Sequence, residues 1–235
     1  RTSHTSPRAK EVCEYLPGEC FQLDDDDYGI RDAFSNARYA RLFVDANSGF
    51  IVPMYPKSLN GPDLRDSIDQ LCAFVNTAHH NTRRVKAICC DKFPSYLDQK
   101  FVGSIRAKYG IELICSPPYS PDKHPQVEQA HHKCQQLLRK MLLSLPGTKL
   151  MQEHIRNAPT DRRRFSMLNN RTWWASAHNY ATQLLNNSTY TRLTSPLTTD
   201  VDLRHTAYQT FYGKRNHEVD LDTFHRFGER CTVYD

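Results

Sequence analysis

The sequence predicts an α/β fold, in which three strands at the start are followed by alternating helices and strands and then by long helices. Two observations predict this class. Short runs of apolar and aromatic residues bounded by turn residues are typical of strands, whereas apolar residues repeated at three- and four-residue steps are typical of amphipathic helices. With 235 residues, 39% of them hydrophobic and 24% charged, the chain is long enough for one substantial core.

The first half of the chain alternates between the two patterns. The second and third strand-like runs are joined by Ala46-Asn47-Ser48-Gly49, whose Asn and Gly suit a tight hairpin, so the first three strands form an antiparallel meander. The predicted strands are 20–24, 38–45, 50–55, 85–90 and 111–115, and the predicted helices between them are 64–78 and 96–109. We expect His79 and His80, which follow the first helix, to be surface residues.

A long helix after the proline-rich segment 116–125 is the best-defined element. One apolar stripe recurs along it at helical spacing, formed by Val127, Ala130, Cys134, Leu137, Leu138, Met141 and Leu145. A separate polar row contains Glu128, His132, Gln135 and Arg139. A second long helix is predicted over 172–187, and beyond Ser188 the pattern weakens. We expect a linker at 1–17, a core at 18–190 and a helical or irregular C-terminal extension of that core at 191–235.

Three acids occur where predicted elements begin or end. Asp24 and Asp91 each follow an apolar strand, and Glu128 lies at the start of the long helix. Carboxylates on separate rigid elements can hold two divalent ions about 3.5–4 Å apart, and oxygen ligands favour Mg²⁺ or Mn²⁺ over zinc. The alternative is that Asp91 begins a turn and Glu128 favours a helix N-terminus. Glu128 and His131 also form a Glu-x-x-His pair, which leaves a His-carboxylate metal site as another alternative.

The positive charge of the chain is unevenly distributed. The net charge is +5, but 131–171 contains nine Lys and Arg against two acids, a local balance of +7. A polyanion is the natural partner of such a segment, and a solvated basic face is the alternative. We expect DNA contacts from His132, Gln135, Arg139, Arg162, Arg163 and Arg164. The eight cysteines include no C-x-x-C pair, which favours reduced buried thiols. No secretory signal and no membrane span are predicted.

Several segments resemble, in order and spacing, the integrase catalytic cores of retroviruses and long-terminal-repeat retrotransposons. They are 21–24, 44–50, Asp91 and 118–128, and 36 residues separate Asp91 from Glu128 where the family has about 35. Further segments at 174–186, 208–214 and 224–231 resemble copia-type retrotransposon integrases. The resemblance covers about 20–234.

The resemblance implies an RNase H-like fold, a five-stranded mixed sheet flanked by helices. It implies that Asp24, Asp91 and Glu128 form the triad that holds two Mg²⁺ or Mn²⁺ ions. A shift by one residue, to Asp25, is the alternative for the first acid. Asp45 matches a second-strand acid of the family that is outside its triad. Two departures are Lys92-Phe93-Pro94 after Asp91 and Pro125 in place of a Gly before the helix acid.

The implied activity is DNA 3′-end processing and strand transfer by a polynucleotidyl transferase and endonuclease. The implied partner is double-stranded DNA, and the implied assembly is a homo-oligomer in the nucleus after release from a polyprotein in a virus-like particle. Two alternatives remain. One is a domesticated or inactive integrase-like module that binds DNA, and the other is an RNase H-like nuclease without joining activity.

Overall fold

The computed structural model describes residues 15–32, 34–90, 98–115, 125–144, 173–188 and 206–213. Within these ranges the strands are β1 (Cys20–Asp27), β2 (Tyr39–Asp45), β3 (Ile51–Met54), β4 (Ala87–Cys90) and β5 (Glu112–Cys115). The helices are α1 (Gly61–Ala78), α2 (Gln99–Tyr109), α3 (Pro125–Ser144), α4 (Trp174–Asn187) and α5 (Ala207–Tyr212). No helix in these ranges is long and apolar enough to cross a bilayer.

The five strands form one mixed sheet in the order β3-β2-β1-β4-β5. β1 pairs antiparallel with β2 and β2 antiparallel with β3, so the predicted meander is confirmed. β1 pairs parallel with β4, and β4 parallel with β5. The chain reaches β4 from β3 through α1 and reaches β5 from β4 through α2, since parallel neighbours require a long connection. β1 therefore lies at the centre of the sheet.

Side chains of β1 alternate between two layers of helices, because successive residues of a strand point to opposite faces. Phe21 and Leu23 lie in the main core with residues of α1, α2 and α5. On the other face, Leu42 and Val44 of β2 pack against Val127, Ala130 and Cys134 of α3. The side-chain amide of Asn186 in α4 exchanges two 2.8 Å hydrogen bonds with the backbone of Ile51, which secures the edge strand β3. Helices therefore cover both faces of the sheet.

Several boundaries differ from those predicted. β1 continues three residues beyond Asp24, to Asp27, because β2 continues to pair with it as far as Tyr39. α2 begins at Gln99 rather than at 96, since Asp98 is its N-cap and accepts a hydrogen bond from the amide of Lys100. β4 begins at Ala87, two residues later than predicted.

α5 is an element that the sequence pattern did not predict. Phe211 from this helix is fully buried in the main core and stacks on Phe50, with ring centroids 4.5 Å apart. Its ring also lies 4.8 Å from the ring of His79, which is buried. The prediction that His79 is a surface residue is therefore wrong, because α5 covers it.

Candidate active site

The parallel pairing of β1 with β4 defines the end of the sheet where the first two predicted acids occur. Leu23 of β1 pairs with Cys90 of β4, and these are the residues directly before Asp24 and Asp91 in the chain. Asp91 itself lies outside the described residues. The carboxyl ends of adjacent parallel strands meet at one edge of a sheet, which is where ligand sites of α/β proteins occur.

Asp24 lies on the face of β1 that is covered by α3. Its side chain is 40% exposed, and its Oδ1 accepts a 2.9 Å hydrogen bond from the amide of Asp25. Nε2 of His131 in α3 lies 3.3 Å from the carbonyl oxygen of Asp24 and 3.8 Å from its Oδ2. The carboxylate is thus at the boundary between the packed helix and solvent.

The partners of the three acids that follow Asp24 show on which face of β1 each side chain lies. Asp25 points to the α1 face, where Arg41 binds both of its carboxylate oxygens at 2.7 and 3.0 Å. Asp26 points to the α3 face and accepts a hydrogen bond from Nε2 of Gln135. Asp27 pairs with Arg38 at the surface. Asp25, the alternative to Asp24, is therefore on the opposite face of the sheet from α3 and is held by a buried guanidinium group.

Glu128 lies in the first turn of α3 and is exposed. The partial positive charge at a helix N-terminus favours an anion at this position. The preceding residue, Val127, is fully buried, and its amide donates a 3.3 Å hydrogen bond to Oε1 of Gln22 in β1. This contact anchors the start of α3 on the strand that carries Asp24.

The residues predicted to contact DNA are only partly described. His132 and Arg139 are exposed on α3, as the predicted polar row requires. Nε2 of His132 lies 2.8 Å from the side-chain nitrogen Nε2 of Gln136. Gln135 is half-buried and donates to Asp26, a contact that the sequence pattern did not predict. Arg162, Arg163 and Arg164 lie outside the described residues. The DNA contacts of all six remain predictions.

Asp45, the second-strand acid, is fully buried and organises the β2–β3 hairpin. Its carboxylate accepts hydrogen bonds from the amide of Gly18 at 2.8 Å and from the amide and hydroxyl of Ser48 at 2.7 and 2.6 Å. Burial raises the pKa of Asp45 to about 6, although these donors oppose the shift. With both oxygens used inside the fold, Asp45 is structural.

Comparison with solved structures finds this fold in retroviral integrase catalytic cores. The HTLV-2 integrase catalytic core domain in complex with magnesium, in its trimeric form, is 18% identical over 83% of this chain and 97% of that chain, with a TM-score of 0.51. Its dimeric form gives the same identity and coverage with a TM-score of 0.50. The chain has the RNase H-like fold of these cores.

A chain of the simian T-cell lymphotropic virus intasome is also 18% identical, with a TM-score of 0.49 over 87% of this chain. The alignment spans 58% of that chain. No protein-family model and no curated protein sequence matches this chain. At these identities the comparisons establish the fold.

The donor chemistry of the described acids fits a hard divalent cation. Asp24 and Glu128 supply carboxylate oxygens, which Mg²⁺ and Mn²⁺ prefer, on two elements that pack together. Within the described ranges no three His, Cys, Asp or Glu side chains form a group that could hold a metal ion. The third predicted ligand, Asp91, is outside those ranges.

Proposed function

We propose that this chain is the catalytic core of a copia-type retrotransposon integrase, a metal-dependent polynucleotidyl transferase that processes DNA 3′ ends and transfers them into target DNA. The pairing of Leu23 with Cys90 carries the proposal. It brings together the strand positions directly before Asp24 and Asp91, while α3, with Glu128 in its first turn, packs on the same strand.

In this proposal Asp24, Asp91 and Glu128 hold two Mg²⁺ or Mn²⁺ ions. When bound, such ions stabilise the charge that develops on the attacking and leaving oxygens of an in-line displacement. The rigid sheet and the N-terminus of α3 hold the carboxylates in place, so little reorganisation accompanies the reaction. His132 and Arg139, exposed on the helix of Glu128, bind DNA phosphates beside the site.

Two displacements at phosphorus make up the proposed reaction. In processing, a water molecule loses a proton to solvent as its oxygen bonds to a phosphorus near the end of the element DNA. The bond from that phosphorus to the 3′ oxygen breaks, and the 3′ oxygen takes up a proton to become a hydroxyl. In joining, the freed 3′-hydroxyl loses its proton as its oxygen bonds to a target phosphorus. The target strand's own 3′ oxygen then leaves and takes a proton from solvent.

The proposal includes a homo-oligomer, because joining requires two DNA ends to be held together. The HTLV-2 core adopts dimeric and trimeric forms, which supports this part of the proposal. It also includes action in the nucleus, where target DNA lies, after release from a polyprotein. Imaging a tagged chain in the host cell tests that localisation.

A branched DNA oligonucleotide that mimics the joined product tests the chemistry without knowledge of the element's end sequence. In the reverse of joining, a 3′-hydroxyl in the target strand attacks the branch phosphodiester, so the substrate itself supplies both reacting groups. We expect Mn²⁺-dependent resealing of the target strand by the wild type and none by Asp24→Asn or Glu128→Gln. Asp69→Asn, at an exposed pair with Lys108, serves as the matched control and should reseal normally.

The products of this assay separate the proposed function from its alternatives. Cleavage of the branch without resealing would support an RNase H-like nuclease. DNA binding without either product, at millimolar Mn²⁺, would support the inactive DNA-binding module.

A further inference from the structure

We propose that His131 is a positioning residue that orients the Asp24 carboxylate toward the proposed metal ions. The inference rests on the proposed function, because it concerns Asp24 as a metal ligand. It begins from the contact between α3 and β1, where Nε2 of His131 approaches both the carbonyl oxygen of Asp24, at 3.3 Å, and its Oδ2, at 3.8 Å.

The two side chains differ in exposure. The side chain of His131 is 8% exposed, whereas that of Asp24 is 40% exposed. The imidazole therefore approaches the carboxylate from the protein side and leaves its solvent side accessible. A carboxylate that accepts a hydrogen bond on its protein side keeps its orientation when a metal ion approaches from solvent.

The acceptors on Asp24 determine which nitrogen of His131 carries the proton. Both Asp24 oxygens near Nε2 accept hydrogen bonds, so Nε2 must be the protonated nitrogen. Nδ1 is then the inward nitrogen, and it is buried without a hydrogen-bond partner among the described residues. An apolar side chain of similar size would fill this position without burying an unpaired nitrogen. Packing alone therefore gives no reason for a histidine here, whereas the contact with Asp24 does.

Contacts on either side of His131 fix the helix against the strand. The amide of Val127 donates to Gln22, and the side chain of Gln135 donates to Asp26. These contacts and the one at His131 recur every four residues along α3 and every two along β1. Four helical residues rise about 6 Å and two strand residues about 6.7 Å, so successive contacts are spaced almost equally along the helix and along the strand. His131 is thus held at Asp24 by the packing of α3, and the same helix carries Glu128.

Mn²⁺ affinity and unfolding free energy, measured on the 235-residue chain, test the proposal together. His131→Leu keeps the volume and removes the donor. We expect this substitution to raise the Mn²⁺ dissociation constant about 10-fold or more, as the loss of a group that hydrogen-bonds to a metal ligand does. The free energy of unfolding should stay equal or increase. A residue that serves packing alone would not weaken metal binding without also lowering stability.

Two conservative variants and a control make the test specific. The amide of Gln reaches the position of Nε2, so His131→Gln should retain Mn²⁺ affinity close to wild type. The shorter amide of Asn reaches only the position of Nδ1, so His131→Asn should bind as weakly as His131→Leu. Gln136→Leu, an exposed change on the same helix, should bind as the wild type does. Nuclear magnetic resonance of the wild-type ring should show the proton on Nε2.

The outcomes separate this inference from the proposed function. If the wild type binds Mn²⁺, Asp24→Asn does not, and His131→Leu binds like wild type, the positioning role is wrong and the metal site stands. An imidazole nitrogen bound directly to Mn²⁺ in spectra of the complex would also overturn it, by making His131 a ligand. If the folded wild type shows no saturable Mn²⁺ binding, both proposals fail.

Discussion

Asp24 and Asp25 are consecutive residues whose side chains lie on opposite faces of β1 and have different surroundings. The Asp25–Arg41 pair is buried, with side chains 7% and 1% exposed, and Arg41 also donates to Ser67 and to the carbonyl of Asp63 in α1. Asp24 instead lies near solvent beside α3. One acid therefore joins the sheet to α1, and the other is proposed to bind metal.

Replacing each of these acids by its amide should give opposite results. Asp25→Asn leaves the Arg41 charge buried without its counter-ion, which should lower the free energy of unfolding by about 3 kcal/mol. Asp24→Asn should change it by less than about 1 kcal/mol in the absence of metal. Urea unfolding measures both free energies.

Millimolar Mn²⁺ should raise the melting temperature of the wild type and of Asp25→Asn but not of Asp24→Asn. A larger loss of stability in Asp24→Asn than in Asp25→Asn would contradict this assignment.

His178 should make the protein less stable in mild acid. Burial lowers the pKa of His178 from 6.5 to about 3, with a smaller effect from His131. Below pH 6.5 the unfolded chain binds a proton that the folded chain does not, so stability is complete above that pH and falls as pH decreases. Between pH 6.5 and 4 the loss from this residue should approach about 3 kcal/mol.

Urea unfolding of the wild type and His178→Gln across this range measures that loss. The difference in unfolding free energy between them should shrink by a similar amount toward pH 4. The opposite contribution of Asp45, whose raised pKa favours the folded state in acid, is common to the wild type and His178→Gln and cancels. A difference that stays constant with pH would show that His178 has the same pKa in the folded and unfolded chain, which contradicts the prediction.

At the scale of elements, the strength of the local pattern decided what the sequence could predict. The apolar stripe of α3, the buried run of β4 and the apolar run of β5 were predicted within a few residues, because packing against the core requires apolar residues at regular positions. The end of β1 was not, since Asp has a low strand propensity and the acids there have the long-range partners Arg41, Gln135 and Arg38, which the local sequence does not show. His131 was weighed as a metal ligand, and its burial against Asp24 depends on how α3 packs on β1.

α5 has only six residues, too few for a visible stripe, but its ends carry local signals. Thr206 and Gln209 form a capping box, and Gly213 ends the helix in the left-handed conformation at φ 67°. These signals were present in the sequence, but the aromatic contacts that stabilise the helix are long-range. Phe211 packs against Phe50, Phe74 and His79.

The predicted boundary of the core at residue 190 can be tested through α5. Phe211→Ala removes a fully buried ring from the main core and should lower the free energy of unfolding by about 3 kcal/mol or more. A chain that ends at residue 190 should lose at least as much, since it lacks the whole of α5. Thr210→Ala, on the same helix, is the milder control. If the shortened chain is as stable as the full one, the core does not need α5 and the predicted boundary at residue 190 stands.

At the scale of the whole molecule, the distribution of charge predicts how the protein binds DNA. The segment 131–171 has a balance of +7, although the net charge of the chain is +5, so the remainder is close to neutral. His132 and Arg139 are exposed on α3, whereas α2 lies on the opposite face of the sheet, in the layer of α1. DNA that reaches the proposed site should therefore meet the α3 side.

Replacing Arg162, Arg163 and Arg164 by Ala should weaken DNA binding to a similar degree for unrelated sequences. Each lost phosphate contact releases one fewer counterion, so the slope of log affinity against log salt should flatten by up to about one unit per arginine. Fluorescence anisotropy over a salt series measures this slope.

The matched control replaces three exposed cations of the other side, Arg84, Lys100 and Arg106, and changes the net charge equally. Because steering by net charge alone would affect both triple variants alike, only contact at the basic segment flattens the first slope and leaves the second unchanged. Equal slopes for the wild type and the 162–164 variant would show that these arginines form a solvated face.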